Sequence, residues 1–357
     1  MNKIDIPSRI HDYSVEVHDE LAPLTELCLD PFVVVVADRR VHTLHPSGFA
    51  GLEQHRLLLL DATEGRKTLD TVAEIYRFLL AFPAKRNLHL VSVGGGIIQD
   101  VTGFASSTLF RGVRWTFFPT TLLAQADSCV GGKTSLNFEH VKNSVGSFYP
   151  PHRVVICTSF LATLEPREIS SGVGEIIKFM LLSDLETPSL DGIAGVVADV
   201  SRGAFAEAIL QTHCVKRSYI AQDEFDRGKR NLFNYGHCIG HALESTSEFR
   251  IPHGIAVTIG MSIANEVSVA RGLLSTELRD ALQTRLFEPN ISVPVYPRDL
   301  AIDPLVAALS QDKKRTGPKL TMILLNEGPS RAVKADDVAP EEVARAVQRF
   351  AAARGLA

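Results

Sequence analysis

With 357 residues, 45% of them hydrophobic and 22% charged, the chain has the composition of a globular protein large enough for two domains, each with its own core. A formal net charge of −4 argues against a general nucleic-acid or membrane surface, but leaves room for a local basic pocket facing an anionic small molecule. Cysteines 28, 129, 157, 214 and 238 form no CxxC pair, no apolar run reaches membrane-spanning length, and MNKIDIPSRIHDY lacks a signal-peptide core, so a reduced, cytoplasmic protein is expected.

The first half alternates strand and helix signals. Phe32–Ala37 (FVVVVA) and Arg56–Leu60 (RLLLL) are continuous apolar runs ended by Asp38 and Asp61, a texture suited to strands buried on both faces of a parallel sheet. Leu69, Val72, Tyr76, Leu79 and Leu80 mark a helix face that stops near Pro83. Leu88–Val93 reads as a strand running into Gly94-Gly95-Gly96, and Trp115–Phe118 and Val154–Cys157 as two more. Strand, glycine turn and helix in repetition predict a doubly wound, Rossmann-like dinucleotide-binding domain over residues 1–164. From there the pattern turns helical. Pro166 opens a helix with Ile169, Val173, Ile176, Ile177 and Met180 on one face, and further helices are expected over 203–221, 235–246, 253–272 and 340–354. Only Leu320–Leu325 looks like a strand, and Asp184–Gly203 reads as a surface loop with a short helix. A mostly α-helical second domain, 165–357, follows.

Four stretches carry candidate chemistry. The triple-glycine turn, continuing Ile97-Ile98-Gln99-Asp100, lets backbone approach a phosphate at a helix N-terminus, although a tight turn without a ligand explains it equally well. Gly131-Gly132-Lys133-Thr134 has the end of a phosphate loop, but GxxxxGK[ST] requires glycine where Asp127 stands, which argues against a nucleotide triphosphatase. Asp127, Lys133, Lys142 and Asn143 nonetheless make a polar, partly basic turn region. Glu175 and Lys178, three apart among Gly172, Gly174, Ile176 and Ile177, are expected to be half buried, where a carboxylate needs a metal or a cation to stay charged. Asp223–His253 concentrates His237, His241 and His253 with Arg230 and Asn234, and Lys216 lies just upstream. The four-residue spacing of His237 and His241 stacks both rings on one helix face, as zinc-binding helices do, with Asn234 available as the cap.

Taken together, PTTLLAQADSCVGGKT with Lys142-Asn143, REISSGVGEIIK (167–178) and KRNLFNYGHCIGHALE with PHG (229–254) resemble the sugar phosphate cyclases, most of all the 3-dehydroquinate synthase family, over about residues 31 to 330. The resemblance implies NAD and a divalent metal, zinc or cobalt, in a cleft between the two domains. It assigns the metal to Glu175, His237 and His253, and moves His241 to an acid–base or hydrogen-bonding role. It assigns NAD to Asp38, Glu64, Lys67, Gly95, Gly96, Asp100, Thr120, Thr121, Asp127, Lys142 and Thr163. Catalytic positions fall on Asp127, Lys133, Lys178, Asn234, His241 and Asp226; substrate contacts fall on Arg111, Lys142, Asn143, Lys216, Arg230, Lys313 and Lys314.

The implied reaction converts 3-deoxy-D-arabino-heptulosonate 7-phosphate to 3-dehydroquinate and phosphate. It runs by transient oxidation by NAD, phosphate elimination, re-reduction and intramolecular aldol closure. A homodimer with Arg111 reaching the partner's site is implied as well. The sequence departs from the family pattern at Gln99 (usually Gly), Asp226 (Glu), Ile255 (Glu) and Arg40 (Asn in some members). Two alternatives stay open: a relative acting on sedoheptulose 7-phosphate, glucose 6-phosphate or an amino analogue, and an NAD-dependent polyol or glycerol-phosphate dehydrogenase.

Overall fold

The computed structural model describes residues 3–83, 85–139, 141–185, 189–310, 319–327 and 331–356. The chain forms two compact units, Met1–Leu164 with Phe205–Phe225, and Glu165–Ala204 with Asp226–Ala357.

The first unit is built on strands β1 (Lys3–Ile6), β2 (Tyr13–His18), β3 (Val33–Asp38), β4 (Leu57–Leu60), β5 (His89–Gly94), β6 (Arg114–Pro119), β7 (Lys133–Phe138), β8 (Val141–Phe148) and β9 (Arg153–Cys157). Seven of them form one sheet in the order β1-β2-β9-β6-β5-β3-β4, with every neighbouring pair parallel except β1–β2. Val33–Ala37 is fully buried, as an apolar run in a sheet covered on both faces must be. From β3 the sheet grows to β4 on one side and to β5, β6 and β9 on the other. The carboxyl ends of β3 and β5, Asp38 and Gly94, therefore flank the point where strand order reverses, which is where doubly wound folds bind their ligands.

Two features of this unit differ from the sequence reading. β1 and β2 add an edge that the early residues did not suggest; β1 is short, with Ile4 and Ile6 buried between exposed Lys3 and Asp5, a charged edge that resists further pairing. The polar 133–148 stretch is a β7–β8 hairpin packed against the Gly96–Thr108 helix.

One expected assignment needs correcting. Phe205–Phe225, placed by sequence in the 165–357 domain, belongs to the first unit. The reason is burial: Ile209, Thr212, His213 and Lys216 on the Phe205–Gln222 helix are covered by the Ala124–Ser128 turn and by β1 and β2.

The second unit is mostly helical: Pro166–Leu181, Leu190–Ser201, His237–Thr246, His253–Ala270, Thr276–Leu282, Ile302–Ser310 and Pro340–Ala353. The short helix expected within 184–203 is Leu190–Ser201, three turns long, capped by Ser189 and with Ile193 and Val200 inward. The expected lone strand β10 (Leu320–Leu325) has an antiparallel partner, β11 (Ala332–Val338), whose exposed Lys334, Asp336 and Asp337 mask its apolar positions.

At the centre runs His253–Ala270, buried from Gly254 through Ser268, a largely apolar helix whose Thr258, Ser262, Asn265, Glu266 and Ser268 are buried with it. It meets Pro166–Leu181 backbone to backbone. A Cβ on Gly254 would lie 1.7 Å from Ser171 O, and one on Gly174 would lie 2.1 Å from Gly254 O.

Candidate active site

That close approach determines where three side chains point. Glu175 sits one residue past Gly174 on one helix, and His253 is the first residue of the other, after Pro252. His237 opens the third helix. Its cap is Gly236 in the left-handed conformation (φ +76°), a position where a Cβ would also strike Val257 O at 2.5 Å. Asn234 is thus not the cap; its amide donates to Asn231 O at 2.7 Å.

Glu175, His237 and His253 offer ligand atoms all within 4.8 Å of one another. His237 Nε2 and His253 Nε2 each stand 3.5 Å from Glu175 Oε1. The Nδ1 atoms are engaged elsewhere: that of His237 lies 3.2 Å from Tyr235 O, and that of His253 lies 2.9 Å from Glu244 Oε2. Such contacts fix the ring orientation and leave Nε2 presented. Glu175 is fully buried, and neither of its oxygens accepts a well-formed hydrogen bond from the described residues, although the Lys178 ammonium, itself buried, lies against Oε2. Burial, then Lys178, hold the His237 imidazole far below its ordinary range, so it stays neutral. Burial acts the same way on His253, but Glu244 and Glu175 outweigh it and bring the pKa to about 10. A cation at this point would displace that proton.

His241 is exposed, its ring stacked 5.6 Å from that of His253. Glu244, seven residues after His237 and three after His241, was missed by sequence although that spacing puts it on the same helix face. Arg230 is buried in the same unit, and Asp226 has a positive φ of 57° with its carbonyl accepting from Asn231 Nδ2 at 3.1 Å. Lys313 and Lys314 lie outside the described residues.

In the first unit, the Gly96–Thr108 helix starts at Gly95, which provides no side-chain cap. A Cβ on Gly96 would meet only Ser128 Oγ, at 3.9 Å, so there is room beside this helix start. Thr120 N donates to Gly94 O at 3.0 Å, and Thr121 Oγ1 accepts from Ala124 N at 3.2 Å. Thr163 Oγ1 is held by His45 Nε2 at 2.9 Å. Asp38 Oδ1 accepts from Arg40 N at 2.9 Å, and burial raises its carboxyl above the usual range.

Five predicted residues converge. Lys67 Nζ reaches Asp100 Oδ2 at 2.7 Å and Asn143 Oδ1 at 2.6 Å, while Lys142 Nζ stands 3.4 Å from Glu64 Oε1. Ser135 and Asn137, which sequence reasoning missed, join them. Ser135 N donates to Asp100 Oδ1 at 2.9 Å, and Asn137 binds Glu64 Oε1 through Nδ2 at 2.8 Å and Asn143 N through Oδ1 at 3.0 Å. Burial raises the Asp100 carboxyl, with Lys67 and Ser135 opposing it.

Asp127 pairs with the buried Lys216 ammonium at 2.6 Å, so Lys216 engages a neighbouring carboxylate in addition to any ligand. Lys133 and Arg111 are exposed, Arg111 on a run of positive φ from Phe110 through Gly112.

Two family descriptions, 3-dehydroquinate synthase N-terminal and C-terminal, match residues 57–171 and 172–315. The chain is 40% identical over 289 residues to the 3-dehydroquinate synthase of Dehalococcoides mccartyi (strain CBDB1), covering 80% of each chain. It is 36% identical over 338 residues to that of Streptococcus pneumoniae (strain Hungary19A-6), covering 91% of this chain and 94% of the relative. Its fold is similar to that of a 2-epi-5-epi-valiolone synthase from Streptomyces hygroscopicus subsp. jinggangensis solved with NAD+ and Zn2+ bound (TM-score 0.81, 26% identity, 96% and 97% coverage). A glycerol dehydrogenase from Schizosaccharomyces pombe shares the fold more distantly (TM-score 0.59, 16% identity, 96% and 92% coverage).

Proposed function

The chain belongs to the 3-dehydroquinate synthase family, and on that premise we propose that it is a carbon–oxygen lyase closing 3-deoxy-D-arabino-heptulosonate 7-phosphate to 3-dehydroquinate with release of phosphate. The observation that carries this reading is the convergence of two pinned imidazoles on one buried carboxylate oxygen.

One carboxylate and two imidazole nitrogens, that of His253 once its proton is displaced, would form a donor set that suits zinc or cobalt and leaves positions for substrate oxygens. The uncapped helix start at Gly95 and the open face of Gly96 suit a dinucleotide phosphate. When bound, the metal supplies a Lewis acid and NAD a reversible hydride acceptor.

Around them, Glu175, His237 and His253 would hold the metal, and Lys178 offsets the Glu175 charge. Exposed His241 accepts or returns a proton, and Asn234 donates its amide. Arg230 is suited to a carboxylate through its two-pronged geometry. Asp226 fills the usual glutamate position and is shorter by one methylene. In the first unit the Lys67–Asp100–Asn143 and Glu64–Lys142 contacts shape the NAD face with Asp38, Thr120, Thr121 and Thr163, and Asp127, Lys133 and Lys216 supply alternating charge. All five cysteines are free thiols, which supports a cytoplasmic protein. Exposed Arg111 beside exposed Phe110 supports a homodimer in which Arg111 serves the partner's site.

The test is phosphate release from the heptulosonate phosphate, sedoheptulose 7-phosphate and glucose 6-phosphate, with NADH absorbance followed in parallel. Release from the first without NADH accumulation is expected. Release only from another sugar phosphate, or stoichiometric NADH, would overturn the assignment.

A further inference from the structure

We propose that Gln99 and His213 are positioning residues that hold the Asp127 turn between the glycine-turn helix and the inserted Phe205–Gln222 helix; the inference deepens the reading above and rests on it for the role of Asp127. The Ala124–Ser128 segment is a single wide turn of the π type, a local geometry that recurs at functional sites. Its carbonyls are satisfied from outside. Gln125 O accepts from His213 Nε2 at 2.7 Å, Ala126 O lies 3.1 Å from Thr212 Oγ1, whose one proton it shares with Ile209 O at 2.8 Å, and Asp127 O accepts from the same Lys216 ammonium that pairs with its carboxylate. Three consecutive carbonyls are thus clasped by one face of one helix.

On the other flank, Gln99 makes a two-point contact with Ser128. Gln99 Nε2 donates to Ser128 O at 2.7 Å, and Ser128 Oγ donates to Gln99 Oε1 at 2.6 Å. Gln99 is 4% exposed, and its own N–H donates to Gly95 O at 3.0 Å in the first turn of the glycine-turn helix. A displacement of Asp127 is therefore transmitted directly to the backbone that faces the dinucleotide.

A glycine at position 99 could make neither side-chain bond. His213 is fully buried, and its contact to Gln125 O requires a proton on Nε2. Burial, which lowers its pKa to about 3, keeps the ring neutral and that tautomer available as a fixed donor.

The test is NAD affinity by calorimetry, which needs no turnover, on Gln99→Ala, Asp127→Ala and the double variant, together with His213→Leu and His213→Gln. Losing a buried two-point contact should weaken NAD binding by about tenfold in Gln99→Ala. That loss should shrink to less than about twofold when Asp127 is already Ala, because the glutamine acts through it. His213→Leu should weaken binding similarly, and His213→Gln, which keeps an amide donor, should restore most of it.

Additive effects in the double variant, or equal loss in Leu and Gln at 213, would mean a merely structural role and overturn the proposal. A wild type that binds NAD but releases no phosphate would overturn the substrate assignment while this cycle still decides the positioning role. A wild type that binds no NAD overturns both.

Discussion

Glu175→Gln tests the metal site at its most buried member. The substitution is nearly isosteric, so packing against Gly174 and Gly254 is preserved while the charge disappears. Two consequences follow from the geometry. The first is loss of the only anionic member of the Glu175, His237 and His253 donor set, which should lower zinc affinity by at least about a hundredfold, the upper range for changes that merely disturb an orienting partner. The second is electrostatic. Lys178, 1% exposed and 4.4 Å from the Phe179 ring centroid, would lose the carboxylate beside it. Removing one partner of a buried pair costs about 3–5 kcal/mol. In a unit of this size each kcal/mol moves the melting midpoint by about 2–4 °C, so a drop of about 6–20 °C is expected without added metal. Glu175→Gln with Lys178→Met should regain most of the midpoint and none of the zinc, because it removes the stranded charge and restores no ligand. Zinc stoichiometry by mass spectrometry and a thermal melt decide the matter. A single variant that retains one zinc per chain, or a double variant that melts as low as the single, would refute this account of why Glu175 is where it is.

Three further outcomes are expected. Glu244→Ala should lower zinc affinity by about 10–100-fold with the ligands untouched, because His253 loses the contact that orients its ring; competition with a chelating dye reads this directly. Lys67→Met should leave the buried Asp100 carboxylate on Ser135 alone, weakening NAD binding by about tenfold or more and making that binding stronger at lower pH as Asp100 takes up a proton; unchanged affinity across pH 5 to 8 would contradict it. His89, His152 and His213 have pKa values lowered to about 4, 4 and 3, chiefly by burial. Each is neutral when folded and protonates below about 6.5 when unfolded, so its stabilisation is complete above pH 6.5 and is lost as pH falls toward the folded value, at up to about 1.4 kcal/mol per pH unit. Because His213 is the most buried of the three, His213→Gln should flatten the melting-midpoint profile between pH 6.5 and 5 by about one proton.

The chemistry of the site was legible because its residues are rare outside functional settings. Three histidines and a carboxylate flanked by glycines stand out in any composition, as does a triple glycine at the end of a strand. Geometry was less legible. HxxxH by itself would pair His237 with His241; only the family resemblance named Glu175, His237 and His253 together, and helix contact at Gly174 and Gly254 brings those three within reach of one point, with His241 and Glu244 beside His253. Ser135 and Asn137 carry no signal of their own on a polar hairpin, and become informative only once that hairpin docks on Glu64 and Asp100.

By itself the sequence determined the parallel sheet, its glycine turn and the largely apolar central helix, since these follow from local periodicity and from where apolar residues must be buried. Tertiary structure alone decided that the Phe205–Gln222 helix packs in the first unit and that three distant helices bring their donors to one point. Those outcomes depend on which backbones can approach each other and which buried carbonyls need a partner. They are sums over contacts far apart in the chain, which no local pattern encodes.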